Sequence, residues 1–179
     1  MQKLFIWAGM ILASALGLQA STLLQLSLND MIQQSNVIVR GKAQRSYSER
    51  RGSVIFTHYR VQVASTFKGT PGLTLDIAVM GGVVNGSRQI FAGAPELTEG
   101  QDYVFFLWTS KTGLTQIIGF SQGLFRATSN SSGQVILMRA AATEPMLNAA
   151  GQTVTDSDFQ ISMSGLQSRI QTVLSGASK

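Results

Sequence analysis

Ser121 stands in a segment whose spacing matches a catalytic motif. Residues 119–123 read G-F-S-Q-G, the G-x-S-x-G pattern of the nucleophile elbow in serine hydrolases. That elbow requires a strand before the serine, a helix after it and a histidine further along the chain. Here residues 124–128 alternate as a strand does, and the single histidine, His58, lies upstream. A serine without a neighbouring base is a weak nucleophile. We therefore expect a turn between two strands, and a serine hydrolase using Ser121 is only the second alternative function.

His58 is a candidate base or metal ligand by residue type alone. Metal ligands come in clusters, and the chain has no cysteine and no second histidine. Alternation places His58 on the polar face of its segment beside Arg60, where we expect it to face solvent. Residues 81–88 have the glycine spacing of a phosphate loop but lack its lysine, which favours a hairpin. We therefore expect no metal and no cofactor.

The nine carboxylates offer no evident acid–base pair. Glu96, Glu99 and Asp102 are the nearest group and precede an apolar segment, whereas Asp76 stands alone on the outer face of its segment. Glycoside hydrolysis needs two carboxylates that converge across a cleft, and this spacing predicts a solvated loop instead. The sequence therefore predicts a protein that is not an enzyme.

Basic side chains form the sharper candidate site. Two neighbouring alternating segments predict a hairpin with basic residues on its outward face and at its tip. The outward set is Arg40, Lys42, His58 and Arg60, and the tip set is Arg45, Arg50 and Arg51. OB-type folds bind ligands on a strand face and its flanking loops, so we expect a surface for an anionic glycan or an acidic partner. The alternative is a solvated face that keeps a sheet edge soluble. Interleaved aromatic residues are few, so no nucleic acid is expected.

The elements that would position these residues are mostly strands. Ser27 and Asp30 match a capping box that begins a short helix ending near Ser35. Residues 46–53 read as a polar connection and residues 140–153 as irregular structure. A segment apolar on both faces, residues 103–108, is typical of a central strand. Alternation predicts strands at residues 36–45, 54–67, 73–79, 103–108, 114–120, 124–128 and 134–138.

A helix is predicted near the end of the chain. Apolar residues from Phe159 to Val173 repeat at steps of four and three, the stripe of an amphipathic helix, with Thr155 or Ser157 as its cap. Strands and helices do not alternate, which disfavours a parallel sheet. We predict a mainly β protein, an antiparallel OB-like barrel with a short N-terminal helix and a C-terminal amphipathic helix, forming one domain over residues 21–179.

The first twenty residues predict export. Lys3 precedes an apolar run over residues 4–18, and small residues gather at its end, as in a secretory signal peptide. Cleavage after Ala15 fits the small-residue pattern best, whereas cleavage after Ala20 falls where the apolar run ends; we favour Ser21 as the mature start. We expect a secreted or periplasmic protein with no stable membrane span after cleavage. The absence of cysteine excludes disulfides and thiol chemistry.

One family shares this layout. A short helix is followed by SNVIVRGK at residues 35–42, a long strand ending FKG at residues 67–69, and EGQDYVFFL at residues 99–107. This resembles the netrin-like and tissue-inhibitor-of-metalloproteinase modules, which are OB-fold barrels, and secreted bacterial proteins of similar layout. The inhibitors chelate zinc through an N-terminal cysteine, and this chain has none, so that mechanism is not carried over.

The resemblance favours a non-catalytic module that binds another protein. An exported protein, a protease by family analogy, is the expected partner, and an anionic glycan is the other candidate. The alternative is an envelope-associated structural or adhesion protein.

Overall fold

One long antiparallel sheet organises the protein, which a computed structural model describes over residues 22–176. The predicted signal peptide, residues 1–20, lies outside the described residues. The helices are α1 (Leu28–Gln34) and α2 (Met163–Gly176). In chain order the strands are β1 (Leu23–Leu24), β2 (Val37–Arg51), β3 (Val54–Lys68), β4 (Thr74–Met80), β5 (Gly82–Val84), β6 (Ser87–Gln89), β7 (Asp102–Thr109), β8 (Thr115–Ile117), β9 (Leu124–Ser129), β10 (Val135–Arg139), β11 (Met146–Leu147), β12 (Thr153–Val154) and β13 (Phe159–Ser162).

The main sheet runs in the order β13-β10-β9-β7-β2-β3-β4, and β8 also pairs with β7. All its pairings are antiparallel. The predicted mainly β, antiparallel architecture with two terminal helices is therefore confirmed. β8 also lies close to β4, but among residues 22–176 no ladder joins the two ends of the sheet. Within the same residues neither helix has the length and apolarity that crossing a membrane requires.

β7 is buried on both faces, as predicted, because a hydrophobic core lies on each side of it. Phe105 and Leu107 point into an inner core with Val39, Val61 and Ile77. Successive strand residues point to opposite faces, so their neighbours Val104 and Phe106 point into a second core, which α1 and α2 cover. That helix-covered core also contains Ile32, Ile38, Phe125, Leu137, Leu166 and Ile170.

α1 begins at the predicted capping box. The Asp30 backbone N–H donates to Ser27 Oγ over 3.1 Å, and the Ser27 backbone N–H donates to Asp30 Oδ2 over 3.0 Å. At the other end of the helix, Lys68 Nζ donates to the carbonyls of Ile32 and Gln33. Both ends of this short helix are therefore satisfied, and its polar termini fit the helix dipole.

The prediction for the C-terminal helix is wrong at its start. Residues 159–162 form β13, which pairs with β10, and α2 begins at Met163. Ser162 Oγ accepts the Gly165 backbone N–H over 3.0 Å, so Ser162 caps the helix and neither predicted cap does. As part of β13, Phe159 packs its ring edge-on against that of Phe125, with the two ring centroids 5.8 Å apart. The segment predicted to be irregular holds the short strands β11 and β12.

The first hairpin is longer than predicted. Residues 46–51, predicted to be a polar connection, continue β2, and only Gly52 and Ser53 reverse the chain. Gly52 adopts a φ of +60°, which glycine reaches at little cost. Residues 46–51 continue the strand because they form a hydrogen-bonded ladder with residues 54–59 of β3. Beyond Lys42, β2 pairs with β3 alone, and we call residues 42–62 the arm.

Candidate functional site

His58 lies buried on the arm, where the sequence predicted a solvent-facing side chain. Only 5% of the residue is exposed. Tyr47 lies directly across from it on β2, and the two rings stack with centroids 4.9 Å apart at an interplanar angle of 12°. The prediction is wrong because the outer face of the arm carries its own aromatic cover.

Two carboxylates flank the imidazole. His58 Nδ1 is hydrogen-bonded to Asp76 Oδ1 over 2.5 Å. His58 Nε2 lies 3.2 Å from Glu49 Oε1, at ion-pair distance but outside hydrogen-bond geometry. The Tyr47 hydroxyl donates to Asp76 Oδ2 over 3.3 Å, and Arg51 Nε lies 3.3 Å from Glu49 Oε1. These five residues form what we call the His58 cluster.

The cluster ties three strands together. Tyr47, Glu49 and Arg51 lie on β2, His58 on β3 and Asp76 on β4. Asp76 is therefore not the isolated carboxylate that the sequence predicted. Desolvation raises the Tyr47 pKa above its usual range, and the charge of Asp76 and its hydrogen bond add to that rise. The Tyr47 hydroxyl therefore remains protonated and keeps donating at neutral pH.

This geometry does not bring together a metal centre or a pair of nucleophile and base. The two ring nitrogens of His58 face different carboxylates, so the three side chains do not converge on one point. Within the described residues no group of three potential ligands is placed to hold a metal ion. No serine or cysteine belongs to the cluster, so it offers no side-chain nucleophile beside the imidazole.

Three members of the predicted basic set are not available to a ligand as free charges. Arg40 donates to Asp102 Oδ2 from Nε and Nη2, over 2.9 and 2.6 Å. Arg51 is paired with Glu49, and His58 is buried. The sequence predicted Asp102 in a solvated loop with Glu96 and Glu99. The structure instead places Asp102 at the start of β7, where it pairs with Arg40.

The other four predicted cations, Lys42, Arg45, Arg50 and Arg60, are exposed. Within residues 22–176 they have no ion pair and no side-chain hydrogen bond. Arg60 lies opposite Asp76 in the β3–β4 ladder, but both Asp76 oxygens are already bonded. The structure therefore leaves an excess of positive charge along the arm.

The faces of the arm divide these cations. Register and alternation place Lys42 and Arg60 on the same face as Tyr47 and Arg51, and Arg50 on the opposite face. Arg45 lies at a bulge where the register shifts between Ala43 and Ser46, about halfway along β2 rather than at the predicted tip. The β5–β6 hairpin packs on the opposite face, where Gly82 lies against Ser48 and Thr57.

The motif around Ser121 has a structural role. Residues 120–123 form one 3₁₀ turn that leads into β9, so the helix of a nucleophile elbow does not follow. The buried Gln122 side chain accepts from the Leu26 backbone N–H over 2.8 Å and donates to the Leu24 carbonyl over 2.9 Å. A Cβ on Gly123 would lie 2.5 Å from the Ile118 carbonyl oxygen. The expected turn between strands is confirmed, and the motif anchors the segment before α1.

Two of the cavities in the described structure have linings outside the arm. One, of about 490 Å³, is lined mainly by apolar residues that include Leu24, Met80, Trp108 and Phe120. The other, of about 810 Å³, is a groove over β9, β10 and β13 that includes Ser121. No charged side chain is among the residues that line the first cavity. No histidine lines the second cavity beside Ser121. The phosphate-loop spacing at residues 81–88 is the predicted hairpin, with Asn85 and Gly86 at its turn.

Sequence reasoning missed Tyr47, Glu49 and Asp76 as neighbours of His58. Their proximity depends on the register of three strands, and the bulge in β2 sets which residue faces the imidazole. Comparison of the chain with protein-family models, curated proteins and solved structures gives no match. The netrin-like resemblance therefore stays a prediction from the residues quoted for it.

Proposed function

We propose that the protein is an exported, non-catalytic binding module whose arm recognises an acidic segment of a partner protein. The observation that carries this proposal is a fixed, exposed aromatic ring beside cations that have no ion-pair partner within residues 22–176. Export is inferred from residues 1–20 alone. An exported protease is the partner class that the netrin-like resemblance suggests.

Tyr47 supports a protein partner. Its side chain is held by the stack on His58 and by the bond to Asp76, yet 51% of the residue is exposed. A ring that is already fixed loses little conformational entropy on binding. Tyrosine and arginine are enriched at the energetic centres of protein interfaces. We therefore favour a protein surface over an anionic glycan as the partner.

The cations support an acidic partner. Arg60 and Lys42 lie on the Tyr47 face, and Arg45 is exposed at the bulge. The planar guanidinium group matches a carboxylate with two parallel hydrogen bonds, which a lysine ammonium cannot do. The partner's carboxylates would supply the counter-charges that the arm lacks.

A charge-matched comparison tests the proposal. The double variant K42Q/R60Q removes two cations from the Tyr47 face, and R88Q/K111Q removes one arginine and one lysine that are exposed and outside the arm. The probe is a fluorescein-labelled glutamate-rich peptide, with affinity measured by anisotropy at low and physiological salt. We expect K42Q/R60Q to weaken binding about tenfold and the control to change it less than twofold.

Equal losses in both double variants would show only a general charge effect and would contradict the proposal. Heparin beads serve as the competing probe. If K42Q/R60Q abolishes heparin retention but leaves peptide affinity unchanged, the arm is a glycan site and the protein-partner proposal is wrong. Pull-down from the exported fraction should recover one stoichiometric acidic protein; retention by bulk cell wall would instead favour an envelope role.

A further inference from the structure

We propose that the His58 cluster makes the arm's affinity for its acidic partner depend on pH. Binding is tighter when the His58 imidazole is protonated and weaker when it is neutral. This inference rests on the proposed function of the arm and names its regulation. It follows from the number of N–H groups that the His58 ring needs in order to face both Asp76 and Glu49.

A neutral imidazole cannot satisfy both of its neighbours. It has a single N–H and one nitrogen lone pair, whereas the imidazolium has two N–H groups. If the neutral ring donates from Nδ1 to Asp76, its Nε2 lone pair faces a Glu49 oxygen at 3.2 Å. If it donates from Nε2, its Nδ1 lone pair faces Asp76 at 2.5 Å. Only the imidazolium places positive charge against both carboxylates.

Glu49 is the group expected to move when the proton leaves. Its side chain is 42% exposed, its contact with His58 is not a hydrogen bond, and Arg51 already offers it a second partner. Asp76 is held more firmly, by His58 and by Tyr47. Loss of the His58 proton lowers the arm's net charge by one, and a released Glu49 leaves its negative charge uncompensated by the imidazole on the face that would meet the acidic partner.

The groups that face the ring come from all three strands. Tyr47, Glu49 and Arg51 lie on β2, Arg60 shares the face on β3, and Asp76 approaches from β4. Histidine is the side-chain type whose charge ordinarily changes between about pH 5 and 8. Tyr47 stays protonated there because its pKa is raised, and arginine stays charged. The pH dependence is therefore assigned to the imidazole of His58, the one histidine of the sequence.

The experiment follows binding and protonation on the same sample. The chain has one histidine, so the imidazole proton resonances of the untagged full chain belong to His58 without further assignment. Peptide affinity and these resonances are measured between about pH 5.5 and 8. We expect affinity for the glutamate-rich peptide to fall roughly fivefold over the pH interval in which the His58 resonances shift.

Glu49→Gln is the decisive variant. A glutamine amide can accept from or donate to Nε2, so it tolerates both protonation states of the ring. We expect E49Q to bind the peptide while losing most of the pH dependence, with His58 still titrating. His58→Gln removes the ring on which Tyr47 stacks, so we expect it to bind the peptide more weakly than wild type and without pH dependence in this range. Both variants are checked for native circular dichroism.

Several results would overturn the inference. Wild-type affinity that stays constant while the His58 resonances shift would do so, as would resonances that do not shift at all. Unchanged pH dependence in E49Q would also contradict it. Failure of the proposed function looks different: the peptide then binds at no pH, or binds K42Q/R60Q as well as wild type.

Discussion

Arg139 and Asp156 form an ion pair that is buried on both sides, with 12% and 5% of their side chains exposed. Arg139 Nη2 donates to Asp156 Oδ1 over 3.1 Å, and the Ala142 backbone N–H donates to Asp156 Oδ2 over 2.8 Å. The pair joins the end of β10 to the segment before β13. Loss of one partner would leave an uncompensated charge in a poorly hydrated place.

Asp156→Asn is therefore expected to destabilise the protein by about 3–5 kcal/mol at neutral pH. Burial by itself would raise the Asp156 pKa, but hydrogen bonds from Arg139 and from the Ala142 and Ser157 backbone N–H groups outweigh it and lower that pKa. The lower folded-state pKa stabilises the protein above the unfolded value of about 3.9. This stabilisation is lost as pH falls through the folded-state value.

Urea unfolding at about pH 7 and about pH 3 measures this effect. The difference in the free energy of unfolding between wild type and D156N should be smaller at the acid pH. Asp158→Asn is the matched control, because Asp158 is exposed and bonds a single backbone N–H, that of Ala141. A gap that stays constant with pH, or an equal loss in D158N, would contradict the role assigned to Asp156.

At the scale of the element, the start of α2 is set by strand pairing and not by the nearest residue that could cap a helix. Thr155 and Ser157 are acceptable caps by residue type, yet the helix begins six residues after Ser157. The intervening residues pair with β10, whose ladder satisfies their backbone groups. The chain can turn into a helix only where that ladder ends, and Ser162 stands at that point.

Ser162→Ala is expected to cost about 1 kcal/mol, because the Gly165 N–H loses its acceptor. Ser157→Ala should change stability by less than about 0.5 kcal/mol. Both are measured by urea unfolding of the full chain. A larger loss for S157A than for S162A would show that the helix begins where the sequence placed it.

The whole molecule is held by two cores that share β7. Phe105 packs near Tyr103 in the inner core, and Phe106 packs near Phe125 in the helix-covered core. Neither core can lose its packing without disturbing the strand that the other needs. Interiors are close-packed, so the two faces of β7 are mechanically coupled.

Phe105→Ala and Phe106→Ala are each expected to cost about 3–5 kcal/mol, and unfolding should remain a single transition in both. Far-ultraviolet circular dichroism reports the sheet. The fluorescence of Trp108, at the end of β7, reports the strand locally and is read in a W7F background, because the sequence has two tryptophans. Separate midpoints for the two probes in either variant would indicate that the cores unfold independently.

Local patterns in the sequence were enough for the elements whose causes are local. The capping box of α1 involves residues three apart, and the hairpin at Asn85 and Gly86 rests on turn preferences. The apolar character of residues 103–108 predicted a strand buried on both faces, because each face must meet a core, and residues 103–107 are buried. The basic residues of the first hairpin were also visible as a group.

Only the tertiary structure decided which of those charges are free and which side chains meet. The ladder carries β2 through a stretch of polar residues, and a bulge at residues 44–45 brings Tyr47 opposite His58. A register change of one residue would move Tyr47 to the other face. The Asp76 carboxylate reaches His58 because β4 pairs with β3, although the two residues are 18 positions apart in the chain. The sequence determined that strands, caps and cations exist. Strand register decided that His58 is buried and that Arg60 has no ion-pair partner in the described part of the chain.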